Sequence, residues 1–297
     1  VSTHESPVAI FYNSVFKGNS GHLGSAINNL LTNLQVINSS VLNNTLDQEG
    51  FGGAIYSDGG QGAISGVYPG AANYLSNGTI DVCGSVLDSN RGGYTGALYT
   101  CGYSNDQTTV DRSVINNNST GDVTGVANGG GITAQCNGRL LVKNSTISNN
   151  SAKGYGGGIN VGTPNNAVPL DRFVIINSTI TGNITTMFDS DSGKNIGGVG
   201  GGIFAYGGSK SNLLNNVTLT KNSSGRGGAI LFNSPVNAVA TNTIIANNIS
   251  TNKYNQQVNC GGPLLSGTRV IEFPASNEAC FTSPTAVDPG LSGAALA

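Results

Sequence analysis

The sequence predicts an all-β protein, a right-handed parallel β-helix (solenoid) of about eight coils. First, an apolar residue is followed three positions later by asparagine in eight copies along the chain, as in Ile147 and Asn150. Second, a glycine block that ends in a small residue and an aliphatic alternates with these copies, as in Gly156-Gly157-Gly158-Ile159. Third, the shortest repeat is 25 residues. That length fits three short strands and three turns. A repeat built of helices would need longer runs of 3.6-residue periodicity, and glycines interrupt every such run.

The repeated asparagines predict an internal ladder. An amide carries both donors and acceptors, so amides stacked at one position of successive coils can bond one another and the turn backbone. Asparagine also tolerates the left-handed backbone of tight turns. The predicted ladder consists of Asn19, Asn44, Asn90, Asn118, Asn150, Asn183, Asn222 and Asn247.

Departures from the shortest repeat indicate insertions. Long insertions are predicted at residues 57–76 and 185–199, and a shorter one at residues 162–171. Insertions in a solenoid become loops that project from the rod, and binding residues are commonly found on loops.

The chain is predicted to have three parts. Residues 1–8 form an extended N-terminal segment, residues 9–249 the β-helix, and residues 250–297 an irregular C-terminal cap closed by a Cys260–Cys280 disulfide. A solenoid needs such a cap because its last coil exposes unpaired strand edges. One further disulfide is expected among Cys83, Cys101 and Cys136, and the sequence does not choose the pair.

The composition argues against some classes of partner. Only 9% of the residues are charged, the formal net charge is −2, and no basic run is present, so nucleic acid is not an expected partner. No apolar run reaches the roughly 20 residues that span a bilayer, so no membrane insertion by this chain is expected. The chain begins at Val1, which suggests a processed or excerpted protein.

Many Asn-x-Ser/Thr sequences occur in the chain, and they are typical of exported proteins. An asparagine-rich chain also produces such sequences by chance. Because ladder positions are expected to be buried, we do not predict glycans at them. The sequences begin at Asn38, Asn77, Asn144, Asn177, Asn216 and Asn248.

The two alternating signals resemble those of a known family. Motifs such as Gly53-Ala54-Ile55 and Ile147-Ser148-Asn149-Asn150 are similar to the repeats of chlamydial polymorphic outer-membrane proteins and of secreted bacterial right-handed β-helix repeat proteins. The tail, with Cys260, Cys280 and Asp288-Pro289-Gly290-Leu291, resembles the end of many such surface proteins. The resemblance covers residues 8–291 and implies this fold and an extracellular or cell-surface location. It implies little about activity, because the fold serves lyases, adhesins and structural proteins.

Four charged residues are the nearest approach to a catalytic group. Asp81, Asp111, Arg112 and Lys143 could serve a pectate-lyase-like enzyme, which needs clustered carboxylates and a basic residue. Asp111 and Lys143 are predicted to occupy one position in successive coils, and a solvent-exposed ion pair is the preferred interpretation.

Other candidate sites are weaker. Asp189, Asp191 and Asn195 resemble the start of a calcium loop but lack a distal acid, so a polar loop tip is preferred. His4 and His22 are isolated, and no cofactor is predicted. Threonine-rich segments suggest ice binding, but a Thr-x-Thr array should recur in every coil and does not.

These arguments predict a non-catalytic extracellular structural or adhesive protein. One form is an adhesin that uses the loops at 57–76 and 185–199 for cell-surface or glycan contacts. The other is a filament subunit that self-associates end to end, with residues 1–7 adding a strand to a neighbour. The alternative from a different class is the carbohydrate-active enzyme described above.

Overall fold

The structure is a computed structural model of the 297-residue chain. It describes residues 2–4, 8–46, 52–58, 78–102, 106–121, 127–136, 138–162, 172–186, 188–189, 194–195, 198–205, 212–232, 238–251, 259–261, 265–274, 279–281 and 284–290. The predicted insertions therefore lie mostly outside the described residues. No helix with the length and hydropathy of a membrane span occurs in the part of the chain that is described.

The described residues form three long parallel sheets that run the length of the molecule. The strands of the first sheet are Ser2–His4, Ile27–Leu30, Ile55–Asp58, Leu98–Gly102, Ile132–Cys136, Ile159–Val161, Ile203–Ala205, Ile230–Phe232 and Cys260–Gly261. The strands of the second sheet are Val8–Tyr12, Val15–Lys17, Asn33–Ile37, Ser40–Leu42, Ile80–Cys83, Val86–Asp88, Gln107–Asp111, Val114–Asn116, Arg139–Lys143, Thr146–Ser148, Arg172–Thr181, Asn212–Thr220, Ala238–Thr241, Ile244–Ala246, Ser266–Thr268 and Ile271–Phe273. The strands of the third sheet are Ser20–Gly21, Thr45–Leu46, Arg91–Gly92, Ser119–Thr120, Ser151–Ala152, Ile184–Thr185, Ser223–Ser224 and Ile249–Ser250.

Two small pairs complete the described strands. Ala127–Asn128 pairs in parallel with Gly154–Tyr155, and Phe188–Asp189 pairs antiparallel with Lys194–Asn195. The antiparallel pair is a hairpin that belongs to the predicted insertion at 185–199.

Each coil of the chain lies in register on the next. Ile115 pairs with Ile147, and Ile147 pairs with Ile180, so the apolar anchors of the repeats stack into one column. This arrangement is a parallel β-helix, as the sequence predicts. The described strands of the first sheet form nine levels. At about 4.8 Å between neighbouring strands, the stack is about 40 Å long.

The alternation of side chains along each strand explains why the coils close around a core. In the strand Ile80–Cys83, Ile80 and Val82 are buried while Asp81 and Cys83 face outward. Aliphatic side chains at the same positions of successive coils fill the interior. Burial of each one contributes roughly 1.5–3 kcal/mol to the free energy of folding. The core is therefore a continuous apolar column rather than a compact centre.

The glycine blocks lie between the inner ladder asparagine of a coil and the next strand of the first sheet, and close packing requires glycine there. A Cβ added to Gly157 would lie 2.5 Å from the carbonyl oxygen of Gly201 and 2.6 Å from that of Ile184. A Cβ added to Gly158 would lie 3.1 Å from the amide carbon of Asn183. Glycine therefore lets neighbouring coils approach closely at the point where the ladder amides pack.

The parallel sheets extend beyond residues 9–249 at both ends. Ser2–His4 is extended and pairs in parallel with Ile27–Leu30 as the edge strand of the first sheet. The β-helix also continues beyond residue 249, since Cys260–Gly261 and Ile271–Phe273 extend the sheets. The irregular cap therefore begins after Phe273. The sequence pattern missed the last coil because Glu272 stands at the position of the aliphatic anchor and Ala275, not asparagine, follows three residues later.

Candidate functional surface

The inner asparagine ladder joins the predicted residues from Asn19 to Asn222. Each side-chain amide donates to the side-chain oxygen of the next ladder residue, at 2.8–3.0 Å. The backbone N–H of each residue donates to the same oxygen, as Asn118 does to Asn150 at 3.0 Å. Asn150 is fully buried, so its bonds are shielded from water. The ladder is a structural element rather than a binding site.

The last predicted ladder position is one residue off. Asn222 donates to Asn248, not to Asn247, and the stacked anchor is Ile245 rather than Ile244. Asn247 has φ +58° and lies in the corner that precedes the ladder residue. The same pair occurs as Asn149-Asn150, where the second residue is the one in the ladder. The ladder then continues to Asn259, which accepts from Asn248 at 3.0 Å.

A second internal ladder, made of serine, was missed. Serine lies two residues before the anchor at six levels, and the backbone N–H of each serine donates to the hydroxyl of the next at 3.0–3.2 Å. Each buried hydroxyl also donates to a nearby carbonyl, as Ser145 does to Lys143 at 2.7 Å. The signal was available in repeats such as Ser145-Thr146-Ile147. The ladder runs through Ser14, Ser39, Ser85, Ser113, Ser145 and Ser178.

A second column of asparagines lies on the outside. Asn144, Asn177 and Asn216 occupy a corner of the second sheet with φ of 47–55°, and their side chains are exposed. Asn216 donates to Asn177 at 2.9 Å, and Asn177 donates to Asn144 at 3.2 Å. Asn242, also exposed and with φ +49°, continues this column. We call these four residues the outer asparagine strip.

The outer strip changes the interpretation of the Asn-x-Ser/Thr sequences. Those that begin at Asn38, Asn144, Asn177 and Asn216 start at exposed corner positions, so burial in the ladder was the wrong reason to discount them. Asn248 is fully buried in the ladder, as expected for such a position, and Asn77 lies outside the described residues. The repeated sequence is explained by the fold, because the corner favours asparagine and the next outward position of a strand favours threonine.

A file of β-branched side chains follows the outer strip. Thr146, Thr179 and Thr218 pair in register on three successive coils and are partly exposed. At the next outward position Ser148 is 8% exposed and Thr220 is 1% exposed, whereas Thr181 on the coil between them is partly exposed. The hydroxyl groups of these coils therefore form one continuous exposed file, beside which Thr181 alone of the next row reaches the surface.

The charged group of the sequence analysis lies at one end of the strip. Asp111 and Lys143 pair in register, as predicted, with 3.6 Å between Oδ2 and Nζ. Arg112 Nε is 3.4 Å from Asp111 Oδ2, and Asn144 donates to Oδ1 at 2.9 Å. Asp81 pairs with Thr109, two positions along the strand from the Asp111 row. Most of the Arg112 side chain is exposed, so this is a surface ion pair.

The electrostatics of Asp111 follow from these contacts. Partial burial alone raises its pKa, but the hydrogen bond from Asn144 and the charges of Lys143 and Arg112 bring the pKa below its ordinary value. The carboxylate is therefore ionised at neutral pH and is engaged by its neighbours.

The weak calcium candidates are only partly described. Asp189 pairs with Lys194 in the short hairpin, Asn195 pairs with Phe188, and Asp191 lies outside the described residues. In the described part of the chain, no group of three or more His, Cys, Asp or Glu residues is placed to hold a metal ion.

The cysteines form two disulfides. Cys260 is joined to Cys280, as predicted, and Cys101 is joined to Cys136, which settles the pair that the sequence left open. Cys83 is a free, partly exposed thiol whose sulfur accepts from Arg112 at 3.0 Å. It faces outward in the second sheet, whereas Cys101 and Cys136 lie in strands of the first sheet.

The outer face of the first sheet is covered, unlike that of the second. Tyr56 and Tyr99 point outward from adjacent strands and stack with 5.0 Å between ring centroids, yet both are buried. The Tyr56 hydroxyl donates to Asp58 at 2.8 Å. This face therefore belongs to the packed interior, and the second sheet is the more accessible surface.

The C-terminal end carries a buried carboxylate. Glu272 follows Ile245 in the anchor column, where the preceding coils place aliphatic residues, and it is fully buried. The Cys280 backbone N–H donates to Oε2 at 2.8 Å. Desolvation raises the pKa of Glu272, although hydrogen bonds from Cys280, Asn259 and Phe281 oppose the shift. Two bridges, Leu265 to Phe281 and Ile271 to Thr285, place the tail along this end.

Comparisons with family models, with curated proteins and with solved structures found no significant match. The geometry alone defines the class of this chain. It is a parallel β-helix with two internal polar ladders, in which the outer face of the first sheet is covered and that of the second sheet is accessible.

Proposed function

We propose that this chain is a non-catalytic structural or adhesive protein of the cell surface or extracellular space. The observation that carries the proposal is the pair of internal ladders, which hold the accessible second sheet in a regular array. Such a scaffold is suited to presenting a rigid surface, because little conformational entropy is lost when a partner binds to it. The two disulfides support an oxidising compartment.

Between the two forms of this function, we favour an adhesive rod over a filament subunit. End-to-end stacking needs an accessible last coil, and the tail lies along that coil through Phe281 and Thr285. Strand addition by residues 1–7 needs a free donor segment, whereas Ser2–His4 is paired within its own chain. The insertions at 57–76 and 185–199 keep their proposed role in adhesion.

The alternative is an enzyme rather than an adhesive protein, a pectate-lyase-like enzyme that uses Asp111, Arg112 and Lys143. Incubation with polygalacturonate and calcium, followed by detection of unsaturated ends, tests it. We expect no product. Product formation that is lost in both Asp111→Ala and Arg112→Ala would replace the adhesive proposal.

Electron microscopy and a surface-binding assay test the adhesive rod itself. We expect separate particles about 40 Å long that bind to cell surfaces or to cell-wall material. Ordered filaments would favour the structural form, and the absence of binding to any such material would contradict adhesion.

A further inference from the structure

We propose that the outer asparagine strip, with its file of threonines, binds a linear neutral polysaccharide laid along the axis of the β-helix. This inference rests on the proposed adhesive function and names its partner class.

The strip offers regular hydrogen-bonding capacity. In the strip, Asn177 and Asn216 each use one N–H to bond the previous coil. An amide has two N–H donors and two acceptor sites on oxygen, so donors and acceptors remain for a partner. The hydroxyls of Thr146, Thr179 and Thr218 add a parallel row. Sugars present both donors and acceptors, and this surface complements them.

The spacing of the strip suits a linear polymer. Four consecutive corner asparagines, from Asn144 to Asn242, span about 14 Å at one coil per 4.8 Å. An extended chain of β-linked pyranoses advances by nearly the same distance per sugar, so each coil can meet one sugar in an equivalent way. The threonine methyl groups and the neighbouring Ile176 offer an apolar surface to the ring faces.

The electrostatics select a neutral chain. The strands Asn212–Thr220, Ala238–Thr241 and Ile244–Ala246 carry no charged side chain, and Arg172–Thr181 carries one only at its first residue. Charged side chains are found at the two ends of the strip, where Asp111 accepts from Asn144 and where the exposed Arg269 takes the corner position after Asn242. An acidic polysaccharide gains no charge pairing along these strands.

The width of the array argues against ice as the partner. An ice surface is periodic in two dimensions and needs a second row of exposed hydroxyls. That row is interrupted here, because Ser148 and Thr220 are buried on either side of the partly exposed Thr181. One exposed file matches a polymer strand better than it matches a crystal plane.

The amides of the strip can be deleted by substitutions that suit the backbone of the corner. Replacing Asn144, Asn177 and Asn216 with glycine deletes the amides and keeps the positive φ of the corner, which glycine adopts freely. The chain also supplies a matched control, because Asn43, Asn117 and Asn149 are exposed asparagines with φ of 53–54° at the other corner of the same sheet.

The experiment compares three proteins: wild type, the strip variant (Asn144→Gly, Asn177→Gly, Asn216→Gly) and the control variant (Asn43→Gly, Asn117→Gly, Asn149→Gly). Binding is measured by pull-down on cellulose and chitin and by affinity electrophoresis in soluble neutral β-glucan and in polygalacturonate. We expect wild type and control to bind at least one neutral polysaccharide, and the strip variant to bind it about tenfold more weakly, the equivalent of one or two lost hydrogen bonds.

Several results would overturn the proposal. They are equal binding by the strip variant, binding to polygalacturonate alone, binding to none of these polysaccharides, and ice shaping without polysaccharide binding. A sugar attached covalently to Asn144, Asn177 or Asn216 in the native protein, seen by intact mass, would also overturn it. If the strip variant still adheres to cells as wild type does, adhesion survives and only this site is wrong.

Discussion

Two columns of asparagine run along this molecule with the same pitch and nearly the same bond lengths. Inside, Asn150 bonds Asn183 at 2.9 Å, and outside, Asn216 bonds Asn177 at 2.9 Å. From Asn44 to Asn248 the inner ladder residues are buried, whereas the outer asparagines are exposed. Water can replace a lost partner outside but not inside. A column of stacked asparagines therefore stabilises the fold when it is buried and forms a solvent-accessible polar surface when it is exposed.

Removing an inner amide should have the largest effect. Asn150→Ala leaves the backbone N–H of Asn118 and the carbonyl of Ile115 without their partners in a buried site. We expect a loss of about 3–5 kcal/mol in unfolding free energy, since each buried unsatisfied group costs roughly 1–3 kcal/mol. Chemical denaturation followed by circular dichroism measures it. A loss below about 1 kcal/mol would show that the ladder is not a major source of stability.

The serine ladder should contribute less per residue. Ser145→Ala removes one acceptor for the backbone N–H of Ser113, at 3.1 Å, and keeps the volume of the site nearly unchanged. We expect a loss of about 1–2 kcal/mol, the range of one buried hydrogen bond. The same denaturation experiment measures it, with Ser40→Ala as a control at a partly exposed outward position. Equal effects of the two changes would contradict an internal role for the serine hydroxyl.

The end of the inner ladder should respond to pH. Burial raises the pKa of Glu272 in the folded state above its unfolded value. The folded state therefore holds the proton more tightly, and stability falls as pH rises through the window between the two values. Glu272→Gln cannot ionise and keeps an acceptor for the Cys280 N–H. We expect the stability of the variant relative to wild type to increase from acidic to neutral pH. A constant difference across that range would contradict the assignment.

Removing an outer amide should have the smallest effect on stability. For Asn177→Gly we expect a change within about 0.5 kcal/mol, because the site is exposed and its positive φ suits glycine. Thermal unfolding measured beside Asn150→Ala provides the direct comparison. A loss as large as that of Asn150→Ala would mean that the outer strip is structural and would weaken its proposed role in binding.

Much of the scaffold was predictable because its signals are local. The offset of three from an aliphatic anchor located seven of the eight proposed inner asparagines, and the Cys260–Cys280 disulfide followed from the interruption of the repeat. The eighth position failed at Asn247-Asn248. Adjacent asparagines satisfy the same pattern, and only stacking on Asn222 decides which one faces inward.

The candidate surface was much less predictable. The repeat pattern predicts that Asn177 is buried. In the structure it is exposed, because the corner where its backbone has φ +47° lies outside the core. The Cys101–Cys136 pair required the register of the first sheet, where Gly102 pairs with Cys136. The burial of Glu272 has no signal in the local sequence, because burial of a carboxylate depends on the residues that pack around it.

The sequence by itself determined the fold class, the length of the repeat and the presence of an amide ladder, because a solenoid repeats one local pattern and each coil contacts its neighbours. Only the tertiary structure decided which of the two asparagine columns lies inside, which sheet face is covered and how far the coils continue toward the C-terminus. These depend on which residues of distant coils stack together, and loops of different lengths bring those residues into the same register.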